Sequence, residues 1–128
     1  MSYPSPLAAG IILAAMIIIR DTLRFEDLQQ MAAAMFGDFV KAVVDVDREL
    51  LAVDAELHAD LEALLLEERS EQRSLWGINL YPDAQADQFV EFDSMINVRP
   101  SQSNRSRGVE DEALRRRIIA IVQQRIPT

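Results

Sequence analysis

The side chains best suited to chemistry lie in residues 56–62, a run that alternates polar and apolar residues and contains the chain's only histidine. In an extended strand alternate side chains lie on the same face, so His58 would share a face with three carboxylates. These are Glu56, Asp60 and Glu62. An imidazole beside carboxylates suits metal binding or proton transfer. The same pattern also fits an ordinary solvated sheet face, and no known metal-ligand motif is matched.

We therefore take His58, Asp60 and Glu62 as the candidate metal ligands and leave the metal and any other cofactor open. The segment also fits one face of a helix through Leu57, Leu61, Leu64 and Leu65. Periodicity alone does not decide between strand and helix here. In a helix, His58 and Glu62 still share a face at i, i+4, whereas Asp60 points elsewhere.

A second candidate is the loop before the last predicted helix, which is rich in Arg and Asn. Its candidate ligand-binding residues are Asn97, Arg99, Asn104, Arg105 and Arg107. Arg side chains beside a helix N-terminus suit a phosphate or carboxylate. Acidic residues 110–112 already occupy the positive end of that helix, so arginine–carboxylate pairs that stabilise the loop are the alternative.

The elements that position these residues follow from hydrophobic spacing. We predict strands at residues 16–20, 40–46, 50–53, 75–81 and 89–99, a helix at about 26–36, and a terminal helix after Asp111. This order predicts an α+β fold, an antiparallel sheet with two helices packed on one face and a polar, exposed opposite face. Trp76 falls on the apolar side of its strand, so we expect it in the core.

If the polar strand faces lie on one side, the histidine belongs to a larger polar surface. Its members would be His58, Asp60, Glu62, Asn79, Tyr81, Glu91, Asp93, Asn97 and Arg99. Such a surface could hold a hard cation or a transition metal, or could pair a general base with an electrophilic Arg. A solvated or interface-forming face is the alternative.

Composition limits the classes of function. The hydrophobic fraction of 49% and charged fraction of 27% are typical of a globular chain rather than a disordered one. There is no cysteine, which excludes disulfides and thiolate metal sites. The net charge of −8 argues against general nucleic-acid binding, which needs Lys and Arg to neutralise phosphates. Twelve of the 13 basic residues are Arg, and Lys41 is the only Lys.

Charge is spread unevenly. Residues 38–93 carry 15 acidic and 4 basic side chains, whereas residues 94–128 carry 7 Arg and 3 acidic side chains. The basic tail either pairs with the acidic middle inside the fold or forms an anion site.

The N-terminus carries an apolar run at residues 7–19, broken only by Gly10. A membrane-spanning helix needs about 18 such residues or more, so we expect no transmembrane span. No basic residue precedes the run, so a signal peptide is not indicated either. We expect residues 1–15 to be an extension, either disordered or acting as an apolar arm, and residues 16–128 to form a single domain.

Three segments, together with Asn104 and Arg105, carry a resemblance to a known family. They read LHADLEALLLE at 57–67, LWGINLYP at 75–82 and SMINVRP at 94–100. Together they resemble a small prokaryotic family of unknown function, the domain of unknown function numbered five-six-seven-four. The resemblance implies no activity, cofactor or catalytic residue.

We therefore expect a small, soluble, cytoplasmic protein that acts as a binding or regulatory module for a partner protein or a small anion. The alternative is a metal-assisted hydrolase acting on a phosphate ester, with the metal on His58, Asp60 and Glu62 and with Arg99 or Arg105 stabilising negative charge. A homodimer formed through a strand edge or the N-terminal arm is compatible with both.

Overall fold

The computed structural model describes residues 16–128, so the predicted N-terminal extension lies outside the described residues. Within that part the chain forms β1 (Ile17–Ile19), α1 (Phe25–Ala34), β2 (Val40–Asp45), β3 (Leu50–Val53), α2 (His58–Glu67), β4 (Leu75–Leu80), β5 (Val90–Glu91) and α3 (Glu112–Arg125). The strands pair antiparallel in the order β1-β3-β2-β4-β5. Across residues 16–128, none of the helices has the length and apolar character needed to cross a bilayer.

The sheet has an apolar core on each face. Helices α1 and α3 cover one face through residues such as Leu28 and Ile118, which pack with Val44, Trp76 and Ile78 of the sheet. This confirms the predicted α+β fold with two helices on one face of an antiparallel sheet. The third helix, α2, packs on the opposite face. The prediction that this face is polar and exposed is therefore wrong wherever α2 covers it.

The segment that periodicity left open is a helix. Leu61 and Leu65 of α2 are completely buried against Val43 and Leu75 of the sheet, whereas Leu57 is 55% exposed. A strand with strict alternation would bury Leu57 together with Leu61. The helix is favoured instead because its i, i+4 spacing places two leucines on one buried stripe.

The prediction of a long strand at residues 89–99 is wrong, because β5 pairs with β4 over two residues only. The hydroxyl of Ser94 then accepts a hydrogen bond from the amide of Ile96 (3.3 Å), at the start of a 3-10 turn, Met95–Asn97. The side chain of Asn97 then forms hydrogen bonds with the backbone of β4 at Gly77. Its Oδ1 accepts from the Gly77 amide (2.8 Å), and its Nδ2 donates to the Gly77 carbonyl (2.9 Å). One side-chain amide thus replaces the bonds that a further strand residue would make.

The turn after α1 places two aromatic rings beside the sheet. Gly37 has a φ of +97°, a left-handed conformation that favours glycine, and its amide donates to the Ala32 carbonyl (2.6 Å). The chain then reverses into β2, so that Phe36 stacks on Phe39. The helix itself ends at Ala34, with Met35 as its C-cap.

Candidate functional site

A row of polar side chains crosses the sheet on the face that α2 covers in part. Lys41 of β2 pairs with Asn79 of β4, and Asn79 pairs with Glu91 of β5. Directly opposed residues of antiparallel strands place their side chains on the same face. Val43, two residues from Lys41, packs in the α2-side core, which assigns the row to that face. We call Lys41, Asn79 and Glu91 the polar row.

Three aromatic rings stand beside the polar row at the end of the sheet. Phe39 immediately precedes β2 and lies two residues before Lys41. Tyr81 immediately follows β4 and lies two residues after Asn79. Ring centroids are 4.6 Å apart for Phe36 and Phe39 and 5.4 Å apart for Phe39 and Tyr81. All three rings are half-buried. We call them the aromatic stack.

Lys41 joins the polar row to the aromatic stack. Its ammonium lies 5.2 Å from the centroid of the Phe36 ring, a cation–π contact. The side chain is half-buried, and it forms no ion pair with any residue in the range 16–128.

His58, the first residue of α2, is buried over the polar row. Its Nε2 lies 2.8 Å from the carbonyl oxygen of Ile78 in β4. Because a carbonyl only accepts, Nε2 carries a proton, and in the neutral ring Nδ1 is then the acceptor. Burial lowers the pKa of His58 below its ordinary value of 6.5, and Lys41 lowers it further. The Ile78 carbonyl, Asn79 and Asp93 oppose this shift without reversing it. The imidazole is therefore neutral at pH 7.

At the other end of the row, Glu91 is held by two donors. Asn79 Nδ2 (2.8 Å) and the Tyr81 hydroxyl (3.1 Å) both donate to its Oε1. Desolvation and then the charge of Glu91 raise the pKa of Tyr81, so its hydroxyl keeps its proton at neutral pH. A groove of about 400 Å³ adjoins this end and is lined by Tyr81, Ala84, Gln88, Val90 and Glu91.

Asn79, at the centre of the row, has an oxygen without a partner. The residue is 6% exposed, and its Oδ1 is buried and makes no hydrogen bond in the described part of the chain. Its Nδ2 donates to Glu91 and to the Asp93 carbonyl (3.3 Å), so Oδ1 points the other way, toward His58. Asn79 favours the protonated form of His58, although its oxygen lies outside hydrogen-bonding geometry. Buried polar atoms without a partner are uncommon in native proteins.

The predicted metal ligands are not brought together as a set of three. His58 and Glu62 lie one helical turn apart in α2, and Asp60 is exposed. Across residues 16–128, no three His, Asp or Glu side chains are grouped so that they could hold a metal ion. The histidine ring uses Nε2 to contact the Ile78 carbonyl instead.

Two asparagines predicted as ligands bind backbone. Besides its bonds to Gly77, Asn97 donates to the Arg107 carbonyl (2.9 Å), and the residue is completely buried. Asn104 donates to the carbonyls of Asn97 (2.8 Å) and Gly108 (2.8 Å) and accepts from the Glu110 amide (2.9 Å). These side chains hold the 94–110 loop against β4.

The three arginines of the loop also contact the protein itself. Arg99 donates to backbone carbonyls at Leu75, Gln72 (2.9 Å) and Ile96 (2.9 Å), and its guanidinium lies 4.4 Å from the Trp76 ring centroid. Arg107 pairs with Asp93 (2.7 Å). Arg105 lies in an exposed turn where the Glu110 carboxylate accepts from the amides of Arg105 (2.7 Å) and Ser106 (2.8 Å). The internal carboxylate thus occupies the two backbone donors of this turn.

Sequence reasoning found part of this arrangement. It placed His58, Asn79, Tyr81, Glu91 and Asp93 on one surface, and the structure brings these residues together around the polar row. It did not assign Lys41, Phe36 or Phe39 to a site. The available signal was the uniqueness of Lys41 among 13 basic residues, because Arg replaces Lys everywhere else.

The fold and the site define a class of small α+β domain, in which an antiparallel sheet lies between helices and a polar row meets an aromatic stack at one end. The chain belongs to the family described as Protein of unknown function (DUF5674), whose model matches residues 17–125. The resemblance identified from the sequence is thereby confirmed. No curated protein and no solved structure is significantly similar to the chain.

Proposed function

We propose that this protein is a binding module for a small organic acid, whose acidic group contacts Lys41 and whose apolar part packs against the aromatic stack. The proposal rests on one observation: the only lysine is half-buried and has no ion pair in residues 16–128. The five ion pairs that are present in that range all involve Arg. Lys41 is thus a half-buried cation on this side of the sheet whose charge no ion pair in that range neutralises.

The surroundings of Lys41 favour an organic acid over a simple inorganic anion. Phe36, Phe39 and Tyr81 offer half-buried aromatic surface next to the ammonium. Aromatic side chains contribute both apolar area and specific ring contacts to a ligand. Inorganic phosphate would use the charge of Lys41 but none of the ring surface.

The metal-assisted hydrolase that the sequence suggested as an alternative is not proposed. Its three candidate ligands are not grouped for an ion in residues 16–128, and its two candidate arginines contact the protein's own backbone or lie in an exposed turn. His58 fits a structural and acceptor role at the base of the acid site.

Isothermal titration with benzoate, 3-phenylpropionate and inorganic phosphate, in a buffer free of other acids of this kind, tests the proposal. We expect the aromatic acids to bind more tightly than phosphate. Lys41→Met keeps most of the apolar stem and removes the charge, so it should weaken aromatic-acid binding by tenfold or more, since a hydrogen bond to a charged group contributes about 1.5–3 kcal/mol.

Arg116→Gln is the matched control, because it removes an exposed cation that pairs with Glu112 on α3, a helix packed on the opposite face of the sheet. Binding to this variant should stay within about twofold of wild type. Circular dichroism and thermal unfolding of Lys41→Met without ligand verify that the variant is folded. The proposal fails if no aromatic acid binds, or if Lys41→Met and wild type bind the acids equally.

A further inference from the structure

Glu91 is placed as an acceptor for a ligand at the end of the polar row opposite Lys41. Both donors that fix its carboxylate reach the same oxygen, Oε1, which leaves Oε2 without a hydrogen bond to any residue in the range 16–128. Glu91 is exposed and lines the groove of about 400 Å³. A carboxylate that neighbouring donors hold in one orientation is prepared to bind without further ordering.

The row as a whole has a surplus of acceptors. The single N–H of neutral His58 donates to the Ile78 carbonyl, and the amide nitrogen of Asn79 donates to Glu91 and to the Asp93 carbonyl. The oxygen of Asn79 remains buried and without a partner in the described chain. A ligand that matches this row must therefore bring donors.

The charge near Glu91 decides between a neutral donor and a cationic one. Glu91 forms no ion pair in residues 16–128, whereas the neighbouring Asp93 is already paired with Arg107. A hydroxyl would satisfy hydrogen bonding only. A primary ammonium satisfies hydrogen bonding and also neutralises Glu91, and such charge-assisted bonds are roughly twice as strong as neutral ones.

The spacing of the row allows one small molecule to reach both ends. Lys41 and Glu91 flank Asn79 on the adjoining strands, so their backbones are about 10 Å apart. Both side chains stand on the same face of the sheet, so a ligand about as long as that separation can contact the ammonium and the carboxylate together.

We propose that the ligand of the polar row is a zwitterion, with its acid on Lys41 and a primary amine on Glu91, the chemical class of amino acids and their close analogues. This inference rests on the proposed function, because it specifies the second contact of the same ligand. A molecule with both charges also resolves the conflict between an acidic protein and an acidic ligand, since the pair of charges is balanced within the site.

Titration calorimetry with L-phenylalanine and 3-phenylpropionate tests the inference, because the two compounds differ in the amine alone. We expect wild type to bind phenylalanine at least tenfold more tightly. Glu91→Gln keeps a side-chain oxygen for Tyr81 and Asn79 but removes the charge, so it should bring the two affinities within about twofold of each other. Asp87→Asn, on the exposed turn beside the groove, removes a charge of the same sign and should retain the preference.

The outcomes separate the two proposals. Equal binding of both compounds to wild type, or a preference that survives Glu91→Gln, overturns the zwitterion while leaving the acid site on Lys41. Loss of the preference in Asp87→Asn as well would show a diffuse charge effect and also overturns the inference. If neither compound binds wild type, both the proposed function and the inference fail.

Discussion

Asn97→Ala should destabilise the protein more than any loss of a surface contact, because it removes three hydrogen bonds of a completely buried side chain at once. The side chain of Asn97 is completely buried and bonds the Gly77 amide (2.8 Å), the Gly77 carbonyl (2.9 Å) and the Arg107 carbonyl (2.9 Å). Alanine leaves these three backbone groups without their partner. Each buried group left unsatisfied costs about 1–3 kcal/mol, so we expect the three together to cost about 3–9 kcal/mol.

This loss is large compared with a total stability of about 5–15 kcal/mol for a domain. Urea unfolding followed by circular dichroism measures it directly, and the midpoint of thermal unfolding should fall by about 10 °C or more. Gln102→Ala is the matched control. It also removes two side-chain hydrogen bonds, to Arg73 and Arg99, but they are exposed and water can replace them. We expect this control to lose less than about 1 kcal/mol.

A loss below about 1 kcal/mol for Asn97→Ala would refute the reasoning, since it would mean that water or a local shift satisfies the three groups. A loss equal to that of Gln102→Ala would refute it too, because burial would then make no difference. If Asn97→Ala proves too unstable to purify, Asn97→Ser provides a second measurement, because its hydroxyl can restore one of the three bonds. It should lie between alanine and wild type.

Two further predictions follow from other parts of the same face. Gly77→Ala should destabilise the protein by more than about 2 kcal/mol in urea unfolding, because the added Cβ would lie 2.5 Å from the Ser94 Cβ; a neutral effect would show that the 94–97 turn yields easily. Stability should fall as the pH is lowered below 6.5, because the unfolded chain protonates His58 while burial keeps the folded ring neutral, so that the unfolded state binds more protons. Urea unfolding of wild type and His58→Gln at pH 7.5 and 5.5 measures this contribution, and an identical pH dependence in both would contradict it.

The elements that the sequence predicted correctly are those that local chemistry determines. Strand β2 follows from its valines, and β3 and β4 follow from short apolar segments between turn residues. Helix α3 has Asp111 as its N-cap, whose carboxylate accepts from the Ala113 amide (2.9 Å). Each of these elements is determined by interactions between residues close together in the chain, so the local sequence is enough to predict it.

The elements that sequence reasoning missed depend on distant contacts. The period-2 pattern at residues 89–99 is real, but the Asn97 side chain competes for the β4 edge through Gly77, which is 20 residues away. The site has the same origin. His58 meets Ile78 across 20 residues, and Lys41 meets the aromatic stack through the Gly37 turn and the strand register. Residue type indicated which side chains could do chemistry, but only the packing of distant segments decides which of them meet.

The two sites that the sequence suggested separately are connected parts of one structure. The Asn97 side chain holds the Arg107 carbonyl, and the Arg107 side chain pairs with Asp93. The Asp93 carbonyl in turn accepts from Asn79, the centre of the polar row. The Arg- and Asn-rich loop therefore follows the short β5 and holds Asp93, whose carbonyl Asn79 contacts. The loop thus orders the polar row without contributing a ligand contact.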